Sequence, residues 1–168
     1  MSVIKALLLT DVVDSTQLAE KLGDSAMAEV WAAHDRVSRA LLVRWRGREI
    51  DKTDGMLLLF DNCADAVGYA MEYHPALAAL PTPLAARVGL HVGPVTLREN
   101  APDDIARGAK PLEVEGLAKP ITARVMALAR GGQTLLSAAA REALGTCEHK
   151  LVSHGHWCIK GVSDPIEL

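Results

Sequence analysis

Apolar residues in this chain fall in short, dense runs separated by segments with helical spacing. Leu7, Leu8 and Leu9 sit in a first run, Ser2 to Asp11. Its brevity and apolar density predict a buried strand. Ser15 or Thr16 then caps a short helix that stops at Gly23. Met27, Val30, Trp31, His34, Val37, Leu41 and Trp45 recur at helical intervals, which predicts a helix over Ser25 to Trp45 with one stripe on a core. Trp31 and Trp45 read as packing residues of that stripe. Arg48 to Lys52 and Met56 to Phe60 read as strands joined by Thr53-Asp54-Gly55, a hairpin turn whose glycine suits a position needing φ > 0. Asp61 or Asn62 starts a helix that carries Ala66, Val67, Ala70 and Met71 and ends before Pro81.

From Ala85 to Val92, Val88, Leu90 and Val92 alternate with Arg87, Gly89 and His91, a strand with two distinct faces. Gly93-Pro94 is expected to turn the chain into a partner strand, Val95 to Arg98. Glu99 to Pro120 lacks periodicity and is long enough to be a functional loop. Arg107 and Lys110 within it read as solvated. Pro120 suits the first turn of a helix over Ile121 to Ala129. A strand (Gln133 to Leu136), a helix (Ala138 to Leu144, capped by Ser137 and closed by Gly145) and two or three short strands in Glu148 to Leu168 complete the chain. His154, His156 and Cys158 alternate along one of these strands and could face one way, as metal ligands do, although a packed or edge strand explains them more simply.

The order β-α-α-β-β-α-β-β-α, with a small β-α-β-β extension, predicts an α+β fold of ferredoxin-like type. Its sheet would be mixed or antiparallel, with helices on one face and the other face open to a partner or ligand. One domain over residues 1–168 is expected.

Composition narrows the function classes. The 168 residues allow one full-sized core, and 49% hydrophobic with 23% charged residues fits a soluble globular domain. A net charge of −3 argues against nucleic acid or an anionic membrane as the main partner. The few aromatic residues are ungrouped and give RNA no stacking platform. No apolar run approaches a membrane span, and no charged-then-apolar leader opens the chain. Cys63, Cys147 and Cys158 form no C-x-x-C pair, so reduced thiols and a cytoplasmic setting are expected.

The candidate chemistry begins where the first strand ends, at Asp11 and Asp14, followed at once by Ser15 and Thr16. A strand tip can hold a carboxylate against a divalent cation, and a helix start behind it offers N–H groups to a phosphate. One carboxylate does not hold a catalytic metal alone, and Asp54 at the hairpin turn is the candidate partner. The same residue types also cap helices and form turns, so the local pattern leaves both readings open.

Taken in order, several blocks resemble the class III nucleotidyl cyclases, the adenylyl/guanylyl cyclase homology domain. LLLTDVVDSTQLAEKLGD is similar to that family's opening F-x-D-I-x-G-S-T strand and helix, and GREIDKTDGMLLLFD to its second-metal hairpin. ARVGLHVGPV and EGLAKPITARVMALARGGQTLLS are similar to its central strand and N-x-x-x-R helix, and HGHWCIKGVSDPIEL to its terminal L-K-G-V strands. The resemblance implies conversion of a nucleoside triphosphate, with ATP favoured, to its 3′,5′-cyclic monophosphate and pyrophosphate in signal transduction. It implies two ions, Mg²⁺ or Mn²⁺, on Asp11, Asp54 and the Val12 carbonyl. Arg124 would steady the reacting phosphorus, and Lys160 the terminal phosphates. Asp14, Ser15 and Thr16 would lie beside the phosphates, and Lys52 and Glu113 would read the adenine edge. A head-to-tail homodimer with sites at its interface is also implied. The family's last strand runs past Leu168, so a domain of a longer regulator is expected.

Three positions depart from the family pattern. The hairpin D-K-T-D-G is one residue short, and a one-residue slip would put Asp51 in place of Lys52 and favour guanine. Asp14 replaces a glycine and adds charge beside the phosphates. Pro120 replaces the asparagine that orients the ribose and has no donor of its own. A weak or unconventional cyclase follows, or alternatively an inactive homology domain that senses nucleotides or dimerises.

Overall fold

The computed structural model describes residues 1–160, 162–164 and 166–168; Gly161, in the expected closing strands, lies outside the described residues. In chain order, β1 (Ser2–Val12) is followed by α1 (Ser15–Leu22), α2 (Asp24–Arg44), β2 (Arg48–Lys52), β3 (Met56–Phe60) and α3 (Cys63–Ala78). Then come β4 (Ala86–Glu99), α4 (Pro102–Ala106), β5 (Leu112–Glu115), α5 (Ala118–Leu128), β6 (Thr134–Leu136), α6 (Ala138–Leu144), β7 (His156–Trp157) and β8 (Ile166–Glu167). The strand order is β2-β3-β1-β4-β5, with every neighbouring pair antiparallel. β6 adds a parallel pairing to β4 at Val88–Leu90, and β7 and β8 form a separate ribbon. The α+β architecture expected from the sequence is present.

The central position of β1 follows from its composition. Leu7 and Leu8 point to opposite faces and both are fully buried, so apolar layers cover both sides of the strand. Ala6, Leu8 and Val12 join Leu58, Phe60, Val88 and Leu90 under α2, α3 and α6. Leu7 and Leu9 face a second cluster with Ile50, Leu57, Leu59, Val95, Leu112, Val114 and Ala118. Ile50 meets Leu112 and Val114 there, because the twisted sheet curls until β2 approaches β5. His34, on the helical stripe of α2, is a core residue whose Nε2 lies 2.8 Å from the Tyr73 hydroxyl.

Three expectations are corrected. First, Gly93-Pro94 makes no turn, and β4 runs unbroken for 14 residues. Pro94 falls between the stretch paired to β6 (88–90) and the stretch paired to β5 (96–99), where a missing N–H is tolerated because β4 has a neighbour only in β1. Second, the helices do not all lie on one face. α5 packs on the face opposite α2 and α3, over Gly89, where a Cβ would lie 2.3 Å from the Met126 backbone nitrogen. Amphipathic spacing shows that a helix packs, not on which face. Third, the aperiodic loop after β4 contains α4 and β5, both too short to show a period.

Candidate active site

β1 carries Asp11 and the β2–β3 turn carries Asp54. Asp11 shares the β1 face of Leu7 and Leu9 by strand alternation. β3 pairs with β1 in the register Leu9↔Leu57, which brings the hairpin turn beside Thr10 and Asp11. The Met56 N–H donates to Thr10 Oγ1 at 3.0 Å, and a Cβ on Gly55 would lie 1.7 Å from the Thr10 carbonyl oxygen. Gly55 therefore serves close backbone approach. It has no positive φ, which corrects the turn geometry expected for it. Asp54, next to it, is exposed and has no ion pair among the described residues. The two acids thus come from neighbouring strands at one end of the sheet.

Asp11 has a partner that the sequence reading did not single out. Arg87 lies directly across from it in β4, and the Arg87 guanidinium donates to Asp11 Oδ2. Its other terminal nitrogen donates to the Ala127 carbonyl of α5 at 3.4 Å. The available signal was the polar Arg87–Gly89–His91 face, which needed the β1–β4 register to become legible.

The donor set suits a hard cation. Mg²⁺ takes one or two carboxylates and completes its shell with water and substrate phosphates. The Asp11 side chain is 27% exposed and so can be reached. No three His, Cys, Asp or Glu side chains cluster as ligands among the described residues, so an ion here would need those added oxygens. Val12 is buried in the core under the helices and could contribute only its backbone carbonyl. His154, His156 and Cys158 are exposed and form no such cluster.

Asp14 is the N-cap of α1 in a left-handed conformation, φ 57°, and its side chain makes no cap hydrogen bond. This corrects the expectation that Ser15 or Thr16 caps the helix. Aspartate is one of the few residues with a side chain that tolerates this backbone, where glycine is the usual choice. The first intrahelical bond runs from the Leu18 N–H to the Asp14 carbonyl at 3.0 Å. The N–H groups of Ser15 and Thr16 precede it and have no intrahelical acceptor.

A groove of about 350 Å³ lies between the hairpin and α5. Leu9 and Leu57 line it from the sheet, Asp51 and Thr53 from the hairpin, and Lys119, Pro120 and Ala123 from α5. A β-bulge between Glu49 and Asp51 makes Asp51 oppose Leu57 and Lys52 oppose Met56. Plain alternation from Ile50 would have aimed Lys52 into the groove. Lys52 borders the groove, but its ammonium turns toward α2, 3.4 Å from Asp35 and 5.3 Å from the Trp31 ring centroid. In this arrangement the Lys52 ammonium is paired with Asp35 and is not extended into the groove.

Glu113 is also turned away. Its neighbours Leu112 and Val114 face the apolar cluster, while Glu113 lies opposite Arg98 and accepts from Asn100 Nδ2 at 3.3 Å. Lys110, expected in solvent, instead donates to Asp51 Oδ2 at 2.6 Å, and the Lys52 N–H donates to Asp51 Oδ1 at 2.9 Å. The Lys110 hydrogen bond outweighs partial burial and holds the Asp51 carboxyl below the usual carboxylate range, with Lys110 and Lys119 charges adding to it.

Arg124 is exposed on α5, one turn beyond Pro120, and has no ion pair among the described residues. α5 runs from Ala118 beside Gly93 to Met126 beside Gly89, so Arg124 lies further than Pro120 toward the end of the sheet that holds Asp11. Lys160 is exposed in a turn, not on a strand. The preceding Ile159 is buried against Ile121 and Val125 of α5.

No family model matches the chain, and no curated protein matches it in sequence. Solved structures do match its fold. An adenylate cyclase from Trypanosoma brucei superposes with a TM-score of 0.86 at 23% identity, over 98% of this chain and 86% of that one. The guanylyl cyclase Cya2 gives 0.85 at 22% identity, over 99% and 90%. The adenylyl cyclase CyaB from P. aeruginosa gives 0.83 at 16%, over 99% and 93%. The fold is that of class III adenylyl/guanylyl cyclase catalytic domains. No helix among the described residues is long and apolar enough to cross a membrane.

Proposed function

We propose that this chain is a nucleotidyl cyclase domain that converts a nucleoside triphosphate to its 3′,5′-cyclic monophosphate and pyrophosphate. The observation that supports this reading is the β1–β3 register, which lays the hairpin turn of Asp54 beside Thr10 and Asp11 at one end of the sheet. Asp11, Asp54 and the Val12 carbonyl would hold Mg²⁺ or Mn²⁺. When bound, such ions lower the pKa of the ribose 3′-hydroxyl and offset the charge of the triphosphate. The 3′-oxygen bonds to the α-phosphorus, the α–β anhydride bond breaks, the hydroxyl proton passes to water, and pyrophosphate leaves. Ser15 and Thr16 offer N–H groups to phosphate oxygens. Arg124, planar and always charged, spreads charge from the reacting phosphoryl group, and Lys160 steadies the terminal phosphates. Arg87 bonds Asp11 Oδ2 and leaves Oδ1 for a cation, whose binding its like charge opposes.

A head-to-tail homodimer, in which a second copy supplies Arg124 and Lys160, is the assembly that the likeness to class III cyclase domains implies. Pro120 in the groove and Asp14 at the helix start favour a second reading, a nucleotide-sensing domain without catalysis. The test is incubation of the chain with Mn²⁺ and each of the four nucleoside triphosphates, with products identified by mass spectrometry. Cyclic product that falls at least a hundredfold in Asp54→Ala is expected. Nucleotide binding without any cyclic product would refute cyclisation and leave the sensor.

A further inference from the structure

Under α2 and α3, polar side chains form a chain of contacts that starts and ends on the β2–β3 hairpin. The Met56 N–H donates to Thr10 Oγ1 at 3.0 Å. Thr10, Tyr73 and His34 are all buried. The Tyr73 hydroxyl lies 2.8 Å from His34 Nε2 and hydrogen-bonds the Thr10 side chain on its other side. His34 Nδ1 lies 3.0 Å from Asp35 Oδ1. The second Asp35 oxygen is 3.4 Å from the Lys52 ammonium and 3.7 Å from Arg39. Lys52 and Met56 face each other across the ladder and flank Thr53-Asp54-Gly55, so the turn is tied at both ends to one carboxylate.

The protons in this chain run in one direction. Asp35, set between two cations, accepts and does not donate, so His34 carries its proton on Nδ1. Burial holds the His34 pKa below its usual value, and the hydrogen bond to Asp35 offsets this only in part, so the ring is neutral at pH 7 and Nε2 is a lone pair. Nε2 therefore accepts the Tyr73 O–H, Tyr73 accepts the Thr10 O–H, and Thr10 accepts the Met56 N–H. Aligned bonds of this kind strengthen one another where water is excluded. Resting on the cation-site reading above, we infer that Asp35, His34 and Tyr73 are positioning residues that hold the turn of Asp54 against β1, beside Asp11. They act on the turn through Thr10 at one end and Lys52 at the other.

The test uses the whole chain. Ring ¹⁵N NMR at pH 7.5 should find His34 protonated on Nδ1, and an Nε2–H tautomer would overturn the assignment. Tyr73→Phe removes the hydroxyl and keeps the ring. It should speed hydrogen exchange of the Met56 amide about tenfold relative to the Leu58 amide in the middle of β3, the order of one buried hydrogen bond, and weaken Mn²⁺ binding at least threefold. Asp35→Ala should do both, and Asp35→Glu, which keeps the acceptor, should restore both. Tyr69→Phe is the control. Tyr69 is as buried as Tyr73 and stacks on it at 5.5 Å, but its hydroxyl stands outside the chain. Its loss should leave the Met56 amide and Mn²⁺ affinity unchanged.

An unchanged Met56-to-Leu58 ratio in Tyr73→Phe, or equal effects of Tyr73→Phe and Tyr69→Phe, overturns the proposal and leaves the network as core packing. A loosened turn with undiminished Mn²⁺ affinity overturns the positioning role. The Nδ1–H tautomer and a turn loosened by Tyr73→Phe, in a wild-type protein that binds no Mn²⁺, would keep the hold on the turn and end the cation-site reading.

Discussion

Gly55→Ala tests how the two acids are brought together. The new Cβ would sit 1.7 Å from the Thr10 carbonyl oxygen and 3.1 Å from the Asp11 Cα. Both neighbours are backbone, so no side chain can swing aside, and the hairpin turn must lift off β1. Overpacking costs about 1–3 kcal/mol. The Met56 to Thr10 bond is strained with it, at roughly 1 kcal/mol, for a total of about 2–4 kcal/mol. For a domain of this size that is a fall in Tm of roughly 4–16 °C. Urea and thermal unfolding measure the stability loss, and Mn²⁺ titration measures the site. Mn²⁺ affinity should fall together with stability, because Asp54 moves with the turn. Gly23→Ala is the control. Gly23 has φ 84° and ψ 162°, a backbone nearly confined to glycine, with nothing within 4 Å of an added Cβ, so it should cost about 1–3 kcal/mol and leave Mn²⁺ binding unchanged. A Gly55→Ala protein with wild-type stability and Mn²⁺ affinity would refute the reasoning.

Further outcomes are expected. Arg87→Gln removes a cation bonded to Asp11 and should raise Mn²⁺ affinity by up to about tenfold, the order of a charge-assisted hydrogen bond; calorimetry showing equal or weaker affinity would contradict a competing role for Arg87. Pro120→Asn restores a side-chain donor in the groove and should raise the cyclisation rate by about an order of magnitude or more; an unchanged rate would remove Pro120 as the cause of weak activity. His34, His74 and His91 all have pKa values lowered chiefly by burial. Below about pH 6.5 the unfolded chain therefore binds more protons than the folded one. Stability should be full above that pH and decline as pH falls toward the depressed folded values, by up to about 1.4 kcal/mol per pH unit for each histidine. Urea midpoints at pH 7.5 and 5.5 check this, and a midpoint that holds or rises on acidification would contradict it.

Much of the scaffold was legible because it is written in periodicity. The β2 and β3 boundaries and the Ser137-capped α6 follow directly from apolar spacing and caps. Asp11 and Asp54 could be paired because one ends a strand and the other occupies the turn of a hairpin. What escaped depended on non-local geometry. The bulge at Glu49–Asp51 has no glycine or proline to announce it, yet it decides whether Asp51 or Lys52 meets the groove. Arg87 and Lys110 acquired their partners only through the β1–β4 register and the curl that brings the α4–β5 connection to β2. Pro94 read as a turn because proline usually breaks strands, whereas here it occupies a gap in cross-strand pairing on one side.

The central claim is that Asp11 and Asp54 act together on a divalent cation. It is tested most directly by titrating Mn²⁺, followed by electron paramagnetic resonance, into the wild-type chain, Asp11→Asn, Asp54→Asn and the double variant in the presence of a 3′-deoxy triphosphate. Shared ligation predicts that each single change lowers affinity nearly as much as the two together. A single variant that binds Mn²⁺ as tightly as wild type would contradict it.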